Sequence, residues 1–588
     1  MRNLVSHFFC LSIILLITSP IFSQQTGKKA SLDEDGQVQV TNIQLPVNSD
    51  KNEDTFEILD GFPFGSPANA TFKNFRGAAV ADIDDDGQDE IIFGANSKLF
   101  VLKGNGSVLW SRNLSGTLIY PPSVADMNGD GTFEIILNTG GSPNAGRVYL
   151  MDKDGNDLPG WPQNFDQHWM FNAPAIADLD GDDIMEVVTC ERGNSTSGFL
   201  HVIKLDGTEL NENWPLELPG NLAFTPSIGD INNDGSEDIV IAISSGSLYA
   251  INTDGSFLDG FPVVETNRSY SYQSPILFEF DQGEPGHLSI VGARHGDVSD
   301  YYIINSDGSY ADGWPITNPT GWRYSPATVI KANNQGVPAI FFGHPNTNGS
   351  FPLNVIFSYN YAGELFNNFP ISKIGGCESV ISVSDADGDG IRDIIFTSNI
   401  TDASGYGYIH AYSLEDGEEL DGFPLRPKGF TFMNSAIVGD FDGDGLRDLA
   451  CLSYTQFTGA DSIFITAYNL GIPNHLSDTY ANGYKGNQKR DGRVDMSTTL
   501  NLDNLIGNEL TISCKPNPAS KFLQIQWNQY IEKGSIFIYD YMGQLVDVQN
   551  VGQNQNLNMD VSRFASGQYI IQLMSTETQI STKWIKIN

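Results

Sequence analysis

Asp178-Leu179-Asp180-Gly181-Asp182-Asp183-Ile184-Met185-Glu186 is the stretch whose reading decides the fold, because its pattern occurs six times. Asp-x-[Asp/Asn]-x-Asp-x-x-x-[Asp/Glu] also runs from Asp82 to Glu90, Asp126 to Glu134, Asp230 to Asp238, Asp385 to Asp393 and Asp440 to Asp448. The Asp178 copy lies between a small apolar strand, Ala175-Ile176-Ala177, and a β-branched one, Val187-Val188-Thr189. About twenty residues upstream of each copy stands a turn ending in an aromatic residue and Pro. These turns are at Phe62-Pro63, Trp161-Pro162, Trp214-Pro215, Phe261-Pro262, Trp314-Pro315, Phe369-Pro370 and Phe423-Pro424, with Trp110 as a weaker eighth. From Phe62 to Phe423 the aromatic residues follow one another at intervals of 47 to 55. A third piece, an Asp-Gly hairpin turn, recurs at Asp154-Gly155, Asp206-Gly207, Asp254-Gly255, Asp307-Gly308 and Asp416-Gly417. Each unit thus offers about four short strands. One such sheet exposes both faces, whereas radial stacking buries them against neighbours. The expectation is an all-β chain with an eight-bladed β-propeller over residues 56–471. A seven-bladed ring is the alternative, because the sequence leaves open where the ring closes and whether the last unit completes the first.

The loops carry the chemistry of a hard cation. Calcium takes six to eight oxygens at ~2.4 Å, and a loop folding around it supplies them from positions 1, 3 and 5, with a further carboxylate at position 9. The candidate ligands are Asp82, Asp84, Asp86 and Glu90; Asp126, Asn128, Asp130 and Glu134; Asp178, Asp180, Asp182 and Glu186; Asp230, Asn232, Asp234 and Asp238; Asp385, Asp387, Asp389 and Asp393; and Asp440, Asp442, Asp444 and Asp448. Gly permits the sharp turn at position 6 in five loops, but the third has Asp183 there, which leaves its geometry open. EF-hand and dockerin loops need an acidic residue at position 12, where this chain has Phe93, Leu137, Thr189, Ile241, Phe396 and Cys451, so both are excluded. The six windows hold 26 of the 72 carboxylates, a density that repels itself without cations.

In these features the units resemble the FG-GAP, or VCBS, repeats of integrin-α-type propellers. The resemblance implies one calcium per intact loop, about six in all, on the hairpin between the first two strands of a blade. Units five and six depart from the pattern at Phe278-Glu279-Phe280-Asp281 and Ile330-Lys331-Ala332-Asn333, and no metal is expected there.

The remaining regions set the compartment. The 588 residues carry 72 acidic against 32 basic side chains, a formal charge of −40 that repels phosphate backbones and anionic lipid and argues against nucleic-acid binding. Residues 1–23 read as a signal peptide, its apolar run from Phe8 to Ile17 too short to anchor in a membrane. Residues 24–55 are polar and aperiodic and read as a flexible leader. Cys190, Cys377, Cys451 and Cys514 read as buried free thiols. A polar stretch over 472–508 reads as a linker, and 509–588 as a small β-sandwich. Lys515-Pro516-Asn517-Pro518, Tyr539-Asp540-Tyr541-Met542-Gly543, Ala565-Ser566-Gly567-Gln568-Tyr569 and Lys583-Trp584-Ile585-Lys586 together resemble the C-terminal sorting domain of the type IX secretion system. This implies the type IX machinery as a partner and export from a Gram-negative bacterium to the medium or the outer cell surface.

No nucleophile elbow, His-Glu-x-x-His or phosphate loop is present. Several of the segments before each first strand are aromatic, and these segments are expected to converge on the central channel opposite the calcium loops. His168, Trp169, Tyr270, Tyr272, Trp322, Arg323 and Tyr324 are the candidate ligand-binding residues, suited to a glycan or protein. The preferred reading is a binding or adhesion module. The alternative is a polysaccharide lyase on an eight-bladed propeller, with His168, His295 or Tyr324 as base.

Overall fold

A computed structural model describes residues 24–32, 38–46, 56–494 and 512–587, apart from short internal stretches that include 69–75, 166–169, 271–273, 318–323, 332–337 and 475–478. The chain divides into two units, residues 1–494 and 495–588.

In the first unit the repeats form successive antiparallel sheets. Unit three is typical: Ala175–Ala177, Glu186–Glu191, Ser197–Ile203 and Leu216–Pro219 pair in chain order. The acidic loop joins its first and second strands, and the Asp-Gly turn its third and fourth. Among the described residues six sheets of this kind follow one another, and a seventh and an eighth each take in a strand from outside their own unit. Their middle strands are buried on both faces, as Glu186–Glu191 is, so they read as apolar runs without alternation. The eighth sheet is completed from the other end of the repeat region. Phe64–Ala68 pairs with Asp461–Pro473, placing Phe64 opposite Ile465 and Ala68 opposite Asp461. Units one and eight meet directly, Asp89 N donating to Asp440 O at 3.1 Å and Arg76 N to Met433 O at 2.8 Å.

The two turn pieces found separately in the sequence meet across unit boundaries. Trp161 donates its indole N–H to Leu205 O at 2.8 Å, Trp214 to Thr253 O at 2.9 Å and Trp314 to Tyr361 O at 2.7 Å. Trp110, which lacks the Pro, makes the same bond to Lys153 O. Gly61, Gly160, Gly260 and Gly313, each just before the aromatic, lie on the next unit's turn, whereas Asn213 and Asn368 take that place before Trp214 and Phe369. A Cβ on Gly160, at φ +91°, would stand 2.1 Å from Asp206 O. No side chain fits there, so the Gly-aromatic pair acts as a latch from one sheet to the next.

Two expectations about the ends of this region are corrected. Residues 24–55 are not uniformly a flexible leader. Gln24–Leu32 and Val38–Pro46 form a hairpin that adds to Ile400–Thr401 and buries Ile43 and Leu45 beside Ile400. Ile43 and Leu45 on one side and the fully buried Ala30, with Val38 and Val40, on the other dock it, and the polar residues between hid them.

Residues 472–474 and 479–494, where the structure describes them, are not a linker. Thr479–Ala481 pairs with Ser382–Ser384, and the chain then runs past the first strands of the units, satisfying their free edges. Val124 N donates to Gln488 O, Ile176 N to Lys489 O, Ile228 N to Asp491 O and Leu277 N to Gly492 O, all at 2.8–3.0 Å. Val80 N donates to Gln488 Oε1, and Val438 N to Asn482 Oδ1. Inner strands of a radial array have unpaired backbone groups, and this one segment pairs with those of seven units.

The second unit has two antiparallel sheets. Ile512–Lys515, Phe522–Trp527 and Asn556–Asp560 form one; Leu545–Val551, Gly534–Asp540, Gly567–Ser575 and Gln579–Lys586 form the other. Leu523 and Ile525 pack with Ile536, Ile538, Ile571 and Leu573 in a shared core. Cys190, Cys377, Cys451 and Cys514 are free and buried. The signal-peptide assignment, residues 1–23, lies outside the described residues.

Candidate metal centres

Three hydrogen bonds shape every acidic loop. The position-1 carboxylate accepts from the position-6 amide at 2.9–3.0 Å. Position 5 accepts from the position-7 amide at 2.7–3.0 Å. Position 9, at the start of the second strand, reaches back to the position-2 amide at 2.7–3.1 Å. The turn takes positive φ at position 6, from 66° to 90°, and at position 4, from 56° to 81°. Asp183 adopts φ 66° and makes the common bond to Asp178, so the third loop keeps the shape of the others. Asp is among the residues that enter the left-handed region most readily. The position-4 requirement is also in the sequence, which has only Asp85, Gly129, Gly181, Asn233, Gly388 and Gly443 there.

Four loops bring carboxylate oxygens within 4.8 Å of one another: Asp82, Asp84 and Asp86; Asp178, Asp180 and Glu186; Asp385, Asp387 and Asp393; and Asp440, Asp442 and Asp448. The other two place Asn128 and Asn232 at position 3, and so have one carboxylate fewer in the same frame. In unit five the loop closes differently, Gly286 N donating to Glu279 Oε1, while Phe280 packs on Phe278 and Tyr361. The unit-six loop, 332–337, lies outside the described residues.

The donor set fits a hard divalent cation. Glu90, Asp238 and Asp448 are fully buried, and the second oxygen of each has no hydrogen-bond partner among the described residues; the same holds for Asp84 Oδ1 and Asp440 Oδ1. A buried carboxylate oxygen without a donor is costly, and a cation ligated by it removes that cost. Burial, opposed by the position-2 amide and reinforced by the neighbouring loop carboxylates, pushes Glu90, Glu186 and Asp238 up to about 7 and Asp393 and Asp448 up to about 8. Calcium bound there would supply the opposite charge that keeps the set ionised.

The expected ligand face is corrected where it is described. Tyr270 is fully buried, edge-on to Tyr302 with its hydroxyl near Arg294, and Tyr324 is buried in a cluster with Tyr120, Phe171, Phe430, Phe432 and Tyr484. Both are packing residues, Tyr270 against Tyr302 and Arg294 and Tyr324 in the cluster that Tyr484 joins. His295 is buried as well. His168, Trp169, Tyr272, Trp322 and Arg323 lie outside the described residues. Sequence reasoning missed a crevice of about 390 Å³ between units six and seven. Phe341, Phe366, Phe369 and Leu414 line it, with Glu415 and the buried Ser358, whose hydroxyl has no partner among the described residues. No local motif announces it.

Among curated proteins the chain is similar to the rhamnogalacturonan endolyase YesW of Bacillus subtilis (strain 168), 23% identical over 287 residues. The match covers 44% of this chain and 42% of that protein. Among solved structures it is similar to the Dos1 propeller (14% identity, 70% of this chain and 96% of that one, TM-score 0.37). It is also similar to quinohemoprotein alcohol dehydrogenase from Comamonas testosteroni (11%, 72% and 79%, TM-score 0.43). No helix among the described residues is long and apolar enough to cross a membrane. Family models match in two places: residues 126–189 match an FG-GAP-like repeat and residues 515–588 a secretion system C-terminal sorting domain.

Proposed function

We propose that this chain is a secreted or cell-surface, calcium-binding, eight-bladed β-propeller that binds an extracellular glycan or protein. The observation that carries the proposal is the common frame of the six loops, four of which bring carboxylate oxygens within 4.8 Å of one another, together with the buried oxygens of Glu90, Asp238 and Asp448 that have no donor among the described residues. Closure as a ring of eight is supported by the contacts of unit one with unit eight and by the strand Phe64–Ala68 completing the last sheet. The sorting domain addresses the chain to the type IX secretion machinery and hence to the outside of the cell.

With 479–494 along the axis, the ligand is taken on the flanks of the propeller. The crevice between units six and seven offers aromatic walls and a carboxylate. Screening the full chain on glycan and matrix-protein arrays, with and without chelator, tests this; specific retention lost on Phe366→Ala supports it, and no retention on any array refutes it.

The likeness to a rhamnogalacturonan endolyase favours a second reading, an acidic-polysaccharide lyase. Two of its candidate bases, His295 and Tyr324, are buried, which weighs against them. Elimination beside a uronate leaves an unsaturated product that absorbs in the ultraviolet. Calcium-dependent absorbance on pectic substrates would establish this reading over the first.

A further inference from the structure

The acidic loops differ in what faces them across the hairpin. In unit seven Asp393, at position 9, is paired with Ser413 on the third strand, and in unit eight Asp448 is paired with Asn469. The register of units one to four, read one step beyond Ile91↔Leu102, Ile135↔Met151, Val187↔Ile203 and Ile239↔Ile251, puts Lys103, Asp152, Lys204 and Asn252 in that place. Only units one and three have a cation there, and in both it reaches into the loop. Lys103 Nζ lies 2.8 Å from Asp84 Oδ2 and 2.6 Å from Asp86 Oδ2, at positions 3 and 5. Lys204 Nζ lies 2.7 Å from Asp180 Oδ2, at position 3, beside a crevice of about 410 Å³ that it lines with Asp182 and Glu186. In unit eight the same place holds a neutral donor, Asn469 Nδ2 at 3.0 Å from Asp444 Oδ2.

We infer that Lys103 and Lys204 are built-in competitors of calcium, so that the loops of units one and three bind the cation more weakly than the others. An ammonium on a ligand oxygen must move away before a divalent ion can take that oxygen, and it repels the ion while it remains nearby. In exchange, these two loops keep a counter-ion when calcium is scarce. The inference rests on the calcium reading proposed above and grades its sites.

The test is a calcium titration of the chelator-treated full chain by isothermal titration calorimetry, with ions counted by native mass spectrometry. Lys103→Met and Lys204→Met are each expected to tighten one weak site by about tenfold, the effect of removing one like charge at contact distance. Lys103→Arg, which keeps the charge, should leave that site weak, and Lys153→Met, on an exposed turn, should change nothing. Full calcium uptake with isotherms unaltered by either Met substitution would overturn the inference while leaving the metal reading intact. No uptake by any variant would overturn both.

Discussion

Replacing Lys485 by Met tests whether residues 479–494 belong to the folded propeller. The Lys485 side chain is buried, and its ammonium donates to Pro226 O at 2.9 Å, Pro275 O at 3.0 Å and Ser227 Oγ. Met has similar length and fills the space, so the change removes the amine's hydrogen bonds to two carbonyls and a hydroxyl. The neutral amine present above about pH 7 has two N–H donors, so at about 1 kcal/mol net per bond the expected loss there is about 2 kcal/mol. Burial pushes the amine down to about 7, against the pull of Asp491, while in the unfolded chain it titrates near ~10.4. Between these values the unfolded chain binds more protons, so the group's contribution grows with pH, is full above about pH 10 and is lost as pH falls toward 7. The stability gap between wild type and Lys485→Met should therefore widen from pH 7 to pH 10. Urea unfolding followed by tryptophan fluorescence, at saturating calcium and several pH values, measures it. Lys489→Met is the control, because that residue's bond to Ile176 uses its carbonyl. A Lys485→Met protein within about 0.5 kcal/mol of wild type at every pH would refute the reasoning.

The remaining predictions follow from other parts of the structure. Gly160→Ala should destabilise the propeller by about 2–4 kcal/mol in the same assay, since its Cβ would collide with Asp206 O at 2.1 Å and φ is +91°. Trp161→Phe, which loses only the indole bond to Leu205 O, should cost about 1 kcal/mol. A chain ended after Val494 should unfold cooperatively, whereas one ended at residue 478, lacking the axial segment, should melt at lower temperature; equal melting would contradict the role given to 479–494. Removing residues 512–588 in the producing bacterium should leave the folded propeller inside the outer membrane, as cell fractionation would report.

Much of this architecture was legible because calcium chemistry and tight turns each restrict residue type. Carboxylates at positions 1, 5 and 9, Asp or Asn at position 3, and Gly, Asn or Asp where φ is positive wrote the repeat into the sequence six times. The aromatic-Pro turn was equally visible, but its partner, the carbonyl of Leu205 for Trp161, is a backbone group some forty residues away and has no sequence signature. The same reason concealed the axial segment. Asn482, Gln488, Lys489 and Arg490 look like linker residues, and their partners include backbone groups of four different first strands, at Val80, Val124, Ile176 and Val438, and of Ala78 and Pro122 just before two of them. Tyr270 and Tyr324 were read as a ligand platform because an aromatic side chain looks the same in sequence whether it lines an open channel or packs on Tyr302 or beside Tyr484. The leader hairpin was hidden by the polar residues between its few apolar ones, Ile43 and Leu45 beside Ile400 and Ala30 with Val38 and Val40 on the other side.

The central claim is that the six loops are calcium sites that hold the propeller together. It is tested most directly by counting the calcium retained per full chain in native mass spectrometry and recording thermal unfolding in millimolar calcium and in excess chelator. Each site that binds only the folded state adds RT ln(1 + [L]/Kd), so several sites acting together should raise the melting temperature by many degrees. The account predicts about six ions per chain, fewer by one in Asp385→Ala and in Asp440→Ala, and a melting transition that drops sharply on chelation. A chain that carries no calcium, or that melts identically in calcium and in chelator, would contradict it.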